Sequence, residues 1–282
     1  MPMSTCLCWG TVEGVGALEL ARVASLAGFD TISLTPAMVL EGAEQVGSID
    51  GLAARIADAS VGVAMIDPLM RGLPGAPEPD QVGRRFRSTF LHGEDVVLDV
   101  ALGLGAQAVN VAHFLGADTP TDALVEHLAG VAERFDRHGL TLLVEFMPEG
   151  SIPDLATAAA IVAGIGRPNV ALTVDTWHLA RTGEGPTDVA ALPPGMVGVV
   201  QVADGGKDII GTWTSPPTAE RLQLGQGALP LVNTLRIVAE RHPQAVVAVE
   251  VFDRHRADDP AEERAGDAAA SLRSVLGQLP PA

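Results

Sequence analysis

Short apolar runs alternate with segments of helical periodicity along the whole chain. Eight runs have the length and bounding residues of strands, and the segments between them repeat apolar positions every three to four residues. The predicted strands are 4–9, 30–35, 60–67, 107–114, 140–146, 169–175, 196–204 and 244–252. The predicted helices are 14–27, 48–58, 81–103, 120–138, 153–164, 187–192, 228–241 and 260–279.

This alternation predicts a single (β/α)8 barrel, a TIM barrel, as one domain over residues 1–282. A doubly wound open sheet is the main alternative, but no glycine-rich dinucleotide loop follows the first predicted strand. Pro36 is expected to end the second strand. We expect three loops, 36–47, 67–80 and 204–227, to determine which substrate is bound.

Four consecutive apolar runs in the second half of the chain each carry an oxygen donor at or near the end. These are Glu145 in LLVEF, Asp175 in ALTVD, Gln201 in GVVQV and Glu250 in AVVAVEVF. A buried charge is costly unless it is paired or bound to a metal, so three such carboxylates indicate a site. Consecutive parallel strands would bring all four residues to the same end of the barrel. Three carboxylates and an amide favour Mg²⁺ or Mn²⁺, with Co²⁺ as a further option.

A structural role for the same residues is the alternative. Asp175 could cap the segment that follows its strand, and Glu145 and Glu250 could pair with arginines. Gln201 alone is more typical of a hydrogen-bonded polar group than of a ligand.

Further polar residues fall near the predicted strand ends and are candidates for substrate binding. His178 comes three positions after Asp175, and His113 follows the fourth apolar run. Lys207 is the single lysine of the chain, and Arg221 lies in the segment RLQLGQG. Arginine suits a carboxylate or phosphate, and lysine supplies a compact charge. For Lys207 a solvated loop position is the open alternative.

Composition restricts the class of protein. The net charge of −17 argues against nucleic acid and against an anionic membrane surface as partners. The first ten residues lack a signal-peptide pattern, and no apolar run reaches about 18 residues, so a cytoplasmic protein is expected. Cys6 and Cys8 are interpreted as barrel-interior residues, with metal ligation as a remote alternative. A homodimer is the default expectation for such an enzyme.

With these residues in place, the sequence resembles the xylose-isomerase-like TIM barrels. That superfamily includes sugar isomerases and epimerases, hydroxypyruvate isomerase, inosose and 3-dehydroshikimate dehydratases, and an endonuclease branch. The motifs that carry the resemblance are LLVEF, VDTWH, QVADG, RLQLGQGALPL and VAVEVF. The resemblance implies one divalent ion held by Glu145, Asp175, Gln201 and Glu250. It also implies that Glu145 and Glu250 exchange protons beside a carbonyl through a metal-stabilised enediolate.

The sequence departs from this resemblance at two positions. Gln201 stands where many sugar epimerases have histidine. Glutamine at this position is more similar to the hydroxypyruvate isomerase and 3-dehydroshikimate dehydratase branches. Lys207 stands near an arginine of several epimerases. The extra zinc-binding histidines of the endonuclease branch are missing, which argues against DNA repair. The expected function is a metal-dependent isomerase or epimerase of a small hydroxy-carbonyl compound. The alternatives are a metal-dependent dehydratase of the 3-dehydroshikimate or inosose type and a barrel that only binds a ligand.

Overall fold

A closed barrel of eight parallel strands forms the centre of the protein. The computed structural model describes residues 3–84, 86–212 and 221–280. The strands follow chain order around the barrel, and β1 closes it by pairing with both β2 and β8. The prediction of a single (β/α)8 barrel is confirmed. The strands are β1 Thr5–Leu7, β2 Thr31–Leu34, β3 Gly62–Leu69, β4 Ala108–Ala112, β5 Thr141–Glu145, β6 Val170–Asp175, β7 Val197–Val202 and β8 Val246–Val249.

Helices surround the barrel and bury their apolar faces against the strands. Within the described part of the chain they are α1 Ala17–Ala27, α2 Pro36–Val46, α3 Ile49–Asp58, α4 Glu94–Leu104, α5 Thr121–Asp136, α6 Leu155–Ile165, α7 Thr176–Thr182, α8 Pro186–Ala191, α9 Leu231–Arg241 and α10 Ala261–Leu276. None of these helices is long and apolar enough to cross a membrane.

The structure corrects the prediction for residues 36–47, which had been assigned to a loop. Pro36 ends β2 but also opens α2, because proline fits the first turn of a helix, where its missing N–H costs nothing. Thr35 caps this helix by accepting a 3.1 Å hydrogen bond from the backbone N–H of Met38.

Two further helix predictions were wrong. The predicted helix 81–103 begins only at Glu94, because Gly93 is extended and the acids Glu94 and Asp95 favour a helix start there. Residues 87–90 form a short 3₁₀ turn instead. Residues 176–182, which had no predicted helix, form α7, which Asp175 caps.

Side chains in the barrel interior are arranged in two levels because strand side chains alternate between faces. The lower level is small or apolar and contains Cys6, Met65, Ala108, Leu143, Val199 and Ala248. Residues two positions further along the strands form the upper level, which is polar and contains Asn110, Glu145, Gln201 and Glu250. The period of two thus places polar groups at the carboxyl end of the barrel. Both cysteines are free and buried.

Candidate active site and metal centre

Four buried carboxylates meet at the carboxyl end of the barrel, and we call this group the acid centre. Asp67 in β3, Glu145 in β5, Asp175 in β6 and Glu250 after β8 are each at most 5% exposed. Four carboxyl groups with so little solvent can ionise only where hydrogen-bond donors and cations lie nearby. The neighbours of each carboxylate therefore define the chemistry of the site.

A single amide holds the Glu145 side of the acid centre. Nδ2 of Asn110 donates a 2.6 Å hydrogen bond to Oε2 of Glu145 and a 2.8 Å hydrogen bond to Oδ1 of Asp67. Oγ1 of Thr173 donates to Oδ1 of Asn110 at 2.8 Å and so fixes the orientation of the amide. Two carboxylates from β3 and β5 are therefore tied together through β4.

Asp175 joins the acid centre to helix α7. Its Oδ1 accepts hydrogen bonds from the backbone N–H groups of Trp177 and His178, at 2.7 and 3.3 Å. Its Oδ2 accepts a 2.7 Å hydrogen bond from Nη1 of Arg221. Asp175 thus has the capping role that the sequence left open as an alternative, while Oδ2 still faces the acid centre.

Glu250 is held from both sides. Nε2 of Gln201 donates to its Oε1 at 3.1 Å, and Nη1 of Arg221 lies 3.2 Å from its Oε2. The backbone on either side of Glu250 is fixed by Thr11, whose hydroxyl donates to the carbonyl of Val249 and accepts from the N–H of Val251. The carboxylate is therefore positioned by its own side-chain partners and by its backbone.

Arg221 is a buried cation between two aromatic rings. Its Cζ lies 5.1 Å from the ring centroid of Trp177 and 5.5 Å from that of Phe252, distances typical of cation–π contacts. The backbone next to it is anchored to Asp204, because Asp204 and Leu222 exchange two backbone hydrogen bonds of 2.9 Å.

Asp204 also organises the loop that follows Arg221. Its carboxylate accepts four backbone hydrogen bonds of 2.9 to 3.0 Å, from Gly205, Gly225, Gly227 and Leu229. A carboxylate with four N–H donors is strongly held. The loop that carries Arg221 is therefore built around Asp204.

His178 lies between two members of the acid centre. Its Nε2 is 3.7 Å from Oε1 of Glu145 and 3.7 Å from Oδ2 of Asp175. Its Nδ1 is buried and has no hydrogen-bond partner among the described residues. The ring contacts Phe146 and Trp177 edge-on, which fixes its plane. One ring nitrogen is thus directed at the acid centre.

Burial changes the acidity of the carboxyls. Burial raises the pKa of Glu145 well above its usual range, and the charges of Glu250 and Asp67 raise it further. Burial also raises the pKa of Glu250, against the opposing effect of Arg221. The pKa of Asp67 rises to about 6, mainly through burial and against the hydrogen bond from Asn110.

Asp175 and His178 are shifted in the other direction. Burial opposes ionisation of Asp175, but the guanidinium of Arg221 holds its pKa below the usual value. Burial lowers the pKa of the His178 imidazole to about 4, so the ring is neutral at pH 7. Neutral imidazole is the form that can bind a metal or donate to a substrate oxygen.

The acid centre suits a divalent cation. Donor atoms of Glu145, Asp175 and His178 lie within 4.8 Å of one another. Oε1 of Gln201 is buried and has no hydrogen-bond partner in the described part of the chain. A buried oxygen of this kind can bind a cation. Among the described residues, the guanidinium at the acid centre is that of Arg221, and it contacts Asp175 and Glu250 but leaves Glu145 and Asp67 without a cationic partner. Glu145 and Asp175 therefore fit a metal ion together with His178, and the oxygen of Gln201 suits the same role. Glu250 is not a member of that close group and is paired with Arg221.

The structure does not bring two of the predicted substrate-binding residues to this site. His113 is buried, but its Nδ1 accepts from the N–H of Ser151 at 3.2 Å and its Nε2 lies 2.9 Å from the carbonyl of Pro74. Both nitrogens thus hold loops together. Lys207 is exposed in a 3₁₀ turn and does not line the cavity described below.

Sequence reasoning missed Asp67 and Asn110. Asp67 ends the predicted strand 60–67, so the rule that selected Glu145 and Asp175 would also have found it. Asn110 lies inside an apolar strand, where a polar residue with small neighbours signals a buried hydrogen-bonded group.

A cavity of about 510 Å³ opens above the acid centre. Its polar residues include Asp67, Glu145, His178, Arg221 and Glu250. Its apolar residues include Trp9, Met38, Met70, Phe86, Phe114, Met147 and Phe252. This volume is typical of a small-molecule site.

Comparison with known proteins assigns the chain to a family. The sequence model described as xylose isomerase-like TIM barrel matches residues 20–275. The chain belongs to this family. As a xylose isomerase-like barrel it shares its fold with the IolI protein, whose crystal structure with a binding zinc atom has a TM-score of 0.83 at 18% identity. The match covers 99% of this chain and 100% of that one.

Two curated relatives of this xylose isomerase-like barrel match over part of their length. The L-ribulose 3-epimerase of Mesorhizobium japonicum is 31% identical over 201 residues, which are 66% of this chain and 63% of the relative. The inosose isomerase of Halalkalibacterium halodurans is 24% identical over 159 residues, which are 52% of this chain and 55% of the relative. The chain therefore spans less than two thirds of each of these proteins.

Proposed function

We propose that this protein is a divalent-metal-dependent isomerase or epimerase of a small hydroxy-carbonyl compound. The observation that carries the proposal is the pair Glu145 and Glu250, two buried carboxyls of raised pKa that line one cavity. They come from β5 and β8, three strands apart around the barrel, so they approach a bound molecule from different directions. The names of the two curated relatives, an epimerase and an isomerase, agree with this chemistry.

The proposed reaction is a proton transfer at the carbon beside the carbonyl. One carboxylate takes the proton, and the electron pair of the broken C–H bond moves toward the carbonyl oxygen. In an epimerisation the other carboxyl gives a proton to the opposite face of the same carbon, and the carbonyl forms again. In an isomerisation the proton goes to the former carbonyl carbon, the neighbouring hydroxyl loses its proton and becomes the new carbonyl, and the former carbonyl oxygen takes up a proton. A raised pKa favours this role, because such a carboxylate binds the abstracted proton more strongly than a carboxylate of ordinary pKa does at neutral pH.

Each carboxyl has a fixed orientation for this task. Asn110 holds Oε2 of Glu145, while Gln201 and Arg221 hold the two oxygens of Glu250. Positioning by partners that are themselves buried keeps the base within reach of the substrate carbon. His178 and Arg221 line the cavity and are proposed to bind substrate oxygens.

Glu145, Asp175, Gln201 and Glu250 would hold the metal, with Nε2 of His178 as an additional nearby donor. When bound, a divalent ion supplies Lewis-acid stabilisation of the negative charge that develops on the substrate oxygen. Carboxylate and amide oxygens suit Mg²⁺ or Mn²⁺, and participation of the imidazole would favour a borderline ion such as Mn²⁺ or Co²⁺.

Solvent exchange tests the proposal. The purified protein is incubated in D₂O with Mn²⁺ or Mg²⁺ and a panel of ketoses and hydroxy keto acids, and deuterium at the α-carbon is followed by NMR. We expect exchange that requires the metal and yields an isomer or epimer. Loss of water, seen as a conjugated carbonyl absorbance, would establish the dehydratase alternative instead. Absence of exchange with every compound would overturn both.

A further inference from the structure

One wall of the cavity is apolar and continuous. Met70 follows β3, Phe114 follows β4 and Met147 follows β5, so neighbouring strands deliver the three side chains to the same side. Phe86, from the segment between β3 and α4, completes the group. We call these four residues the apolar wall.

The apolar wall is supported from behind. Met70 and Phe114 are at most 7% exposed and pack with Val82, Phe90 and Ala112 in a hydrophobic cluster separate from the main core. The rings of Phe86 and Phe114 meet edge to face, with centroids 5.2 Å apart. The segment between β3 and α4 thus folds back to line the cavity with apolar groups.

The charges around the cavity are unfavourable for an anionic substrate. Among the described lining residues, Glu13 and Glu41 are exposed and add negative charge beyond the acid centre. The cation in that lining is Arg221, whose charge is already balanced by Asp175 and Glu250, although its Nε has no hydrogen-bond partner among the described residues. A phosphate would therefore lose its hydration in a cavity whose described lining carries more carboxyl groups than cations.

We propose that the apolar wall is a specificity subsite for a nonpolar substituent of an uncharged substrate. This rests on the proposed function, which places the carbonyl end of the substrate at Glu145 and Glu250. The far end of the molecule then meets Met70, Phe86, Phe114 and Met147. A methyl or larger alkyl group gains by burial there, whereas a hydroxyl loses hydrogen bonds to water without replacement.

Equilibrium binding tests the subsite without requiring turnover. Calorimetry with Mn²⁺ present compares a ketohexose, its 6-deoxy counterpart of the same configuration and its 6-phosphate. We expect the 6-deoxy compound to bind about tenfold more tightly than the parent sugar, because burial of an unpaired hydroxyl is unfavourable. The 6-phosphate should bind on the order of 100-fold more weakly than the parent sugar. Equal binding of the parent and deoxy compounds, failure of the deoxy compound to bind, or preference for the phosphate would overturn the inference.

A variant pair locates the effect. Met147→Gln places an amide in the wall at a half-buried position and should remove the preference for the deoxy compound. The control is Leu91→Gln, at a side chain that is 42% exposed, lies in the same chain segment as Phe86 and does not line the cavity. This variant should retain the preference for the deoxy compound. Phe86→Gln is the second test should Met147→Gln alter the melting temperature. Retention of the full preference in both wall variants would contradict the subsite.

The two proposals fail differently. Absence of deuterium exchange with every compound would overturn the isomerase assignment even where selective binding is observed. Exchange that shows no preference for a nonpolar substituent would leave that assignment in place and overturn the subsite.

Discussion

Nη1 of Arg221 lies 2.7 Å from Oδ2 of Asp175, and the same nitrogen is 3.2 Å from Oε2 of Glu250. One guanidinium therefore links carboxylates that come from β6 and from the end of β8. The rings of Trp177 and Phe252 enclose this guanidinium. Part of the negative charge of the acid centre is thus compensated by the protein itself, and the remainder is available for a metal ion.

Removal of this cation should destabilise the metal-free protein. We expect Arg221→Met to lower the free energy of unfolding at pH 7 by about 3 to 5 kcal/mol, because it leaves buried carboxylates uncompensated. Arg221→Lys should cost less, since it keeps the charge but loses the forked geometry and the ring contacts. Urea denaturation measures both, with Arg55→Met at an exposed position of α3 as the control. A loss no larger than that of the control would show that Arg221 does not balance this charge.

Conversion of either proposed base to its amide should remove activity and spare the fold. We expect Glu145→Gln and Glu250→Gln each to reduce metal-dependent exchange by about 10²- to 10⁴-fold. Melting temperatures should stay at or above the wild-type value, because a buried group of raised pKa becomes neutral. Glu126→Gln, at an exposed position of α5, is the control for exchange. Wild-type exchange in both variants would refute the assignment of the bases.

The stability of the metal-free protein should depend on pH through Asp67. Its pKa is about 6 in the folded protein against 3.8 for an ordinary aspartate, so the folded state binds the proton more strongly. The contribution of protonated Asp67 to the free energy of unfolding is about 3 kcal/mol. It is fully present below pH 4 and is lost as the pH rises through 6.

Asp67→Asn should flatten this part of the pH profile, and Asp99→Asn, at an exposed position of α4, should leave it unchanged. Urea denaturation between pH 4 and pH 8 provides the comparison. An identical slope in Asp67→Asn and the wild type would assign the effect to other groups.

Gln201 should contribute to metal affinity more than to stability. Its Oε1 is buried without a partner in the described structure, while its Nε2 donates to Glu250. We expect Gln201→Leu to weaken Mn²⁺ binding by about 10- to 100-fold, with a change of no more than about 1 kcal/mol in the free energy of unfolding. Titration calorimetry measures the affinity, with Gln107→Leu at an exposed position as the control. Unchanged affinity would remove Gln201 from the proposed ligand set.

Local sequence patterns were sufficient to predict most of the barrel. Apolar runs of strand length predicted all eight strands, because burial on both faces of a parallel strand requires nearly continuous apolar residues. The pattern failed where one residue type has two roles. Pro36 both ends a strand and opens a helix, and the apolar residues of 81–93 pack into a cavity wall rather than onto a helix face.

The candidate site was only partly predictable. Glu145, Asp175, Gln201 and Glu250 were found because charge or amide at a strand end is unusual, and the barrel brings them to one end. His113 and Lys207 also follow predicted strands. His113 holds two loops together through its ring nitrogens, and Lys207 is exposed to solvent. Position along the chain specifies the end of the barrel that a residue occupies, but not the direction of its side chain once a loop begins.

The order of the elements and the face on which each strand residue lies follow from the amino-acid sequence, because periods of two and 3.6 residues are local properties of the backbone. Other contacts form only when the chain folds: Asn110 bridges Asp67 and Glu145, and Arg221 reaches Asp175 from a loop 46 residues away. Folding also brings Met70, Phe86, Phe114 and Met147 together in one wall. Contacts between distant segments depend on barrel closure and loop packing, which no local pattern encodes.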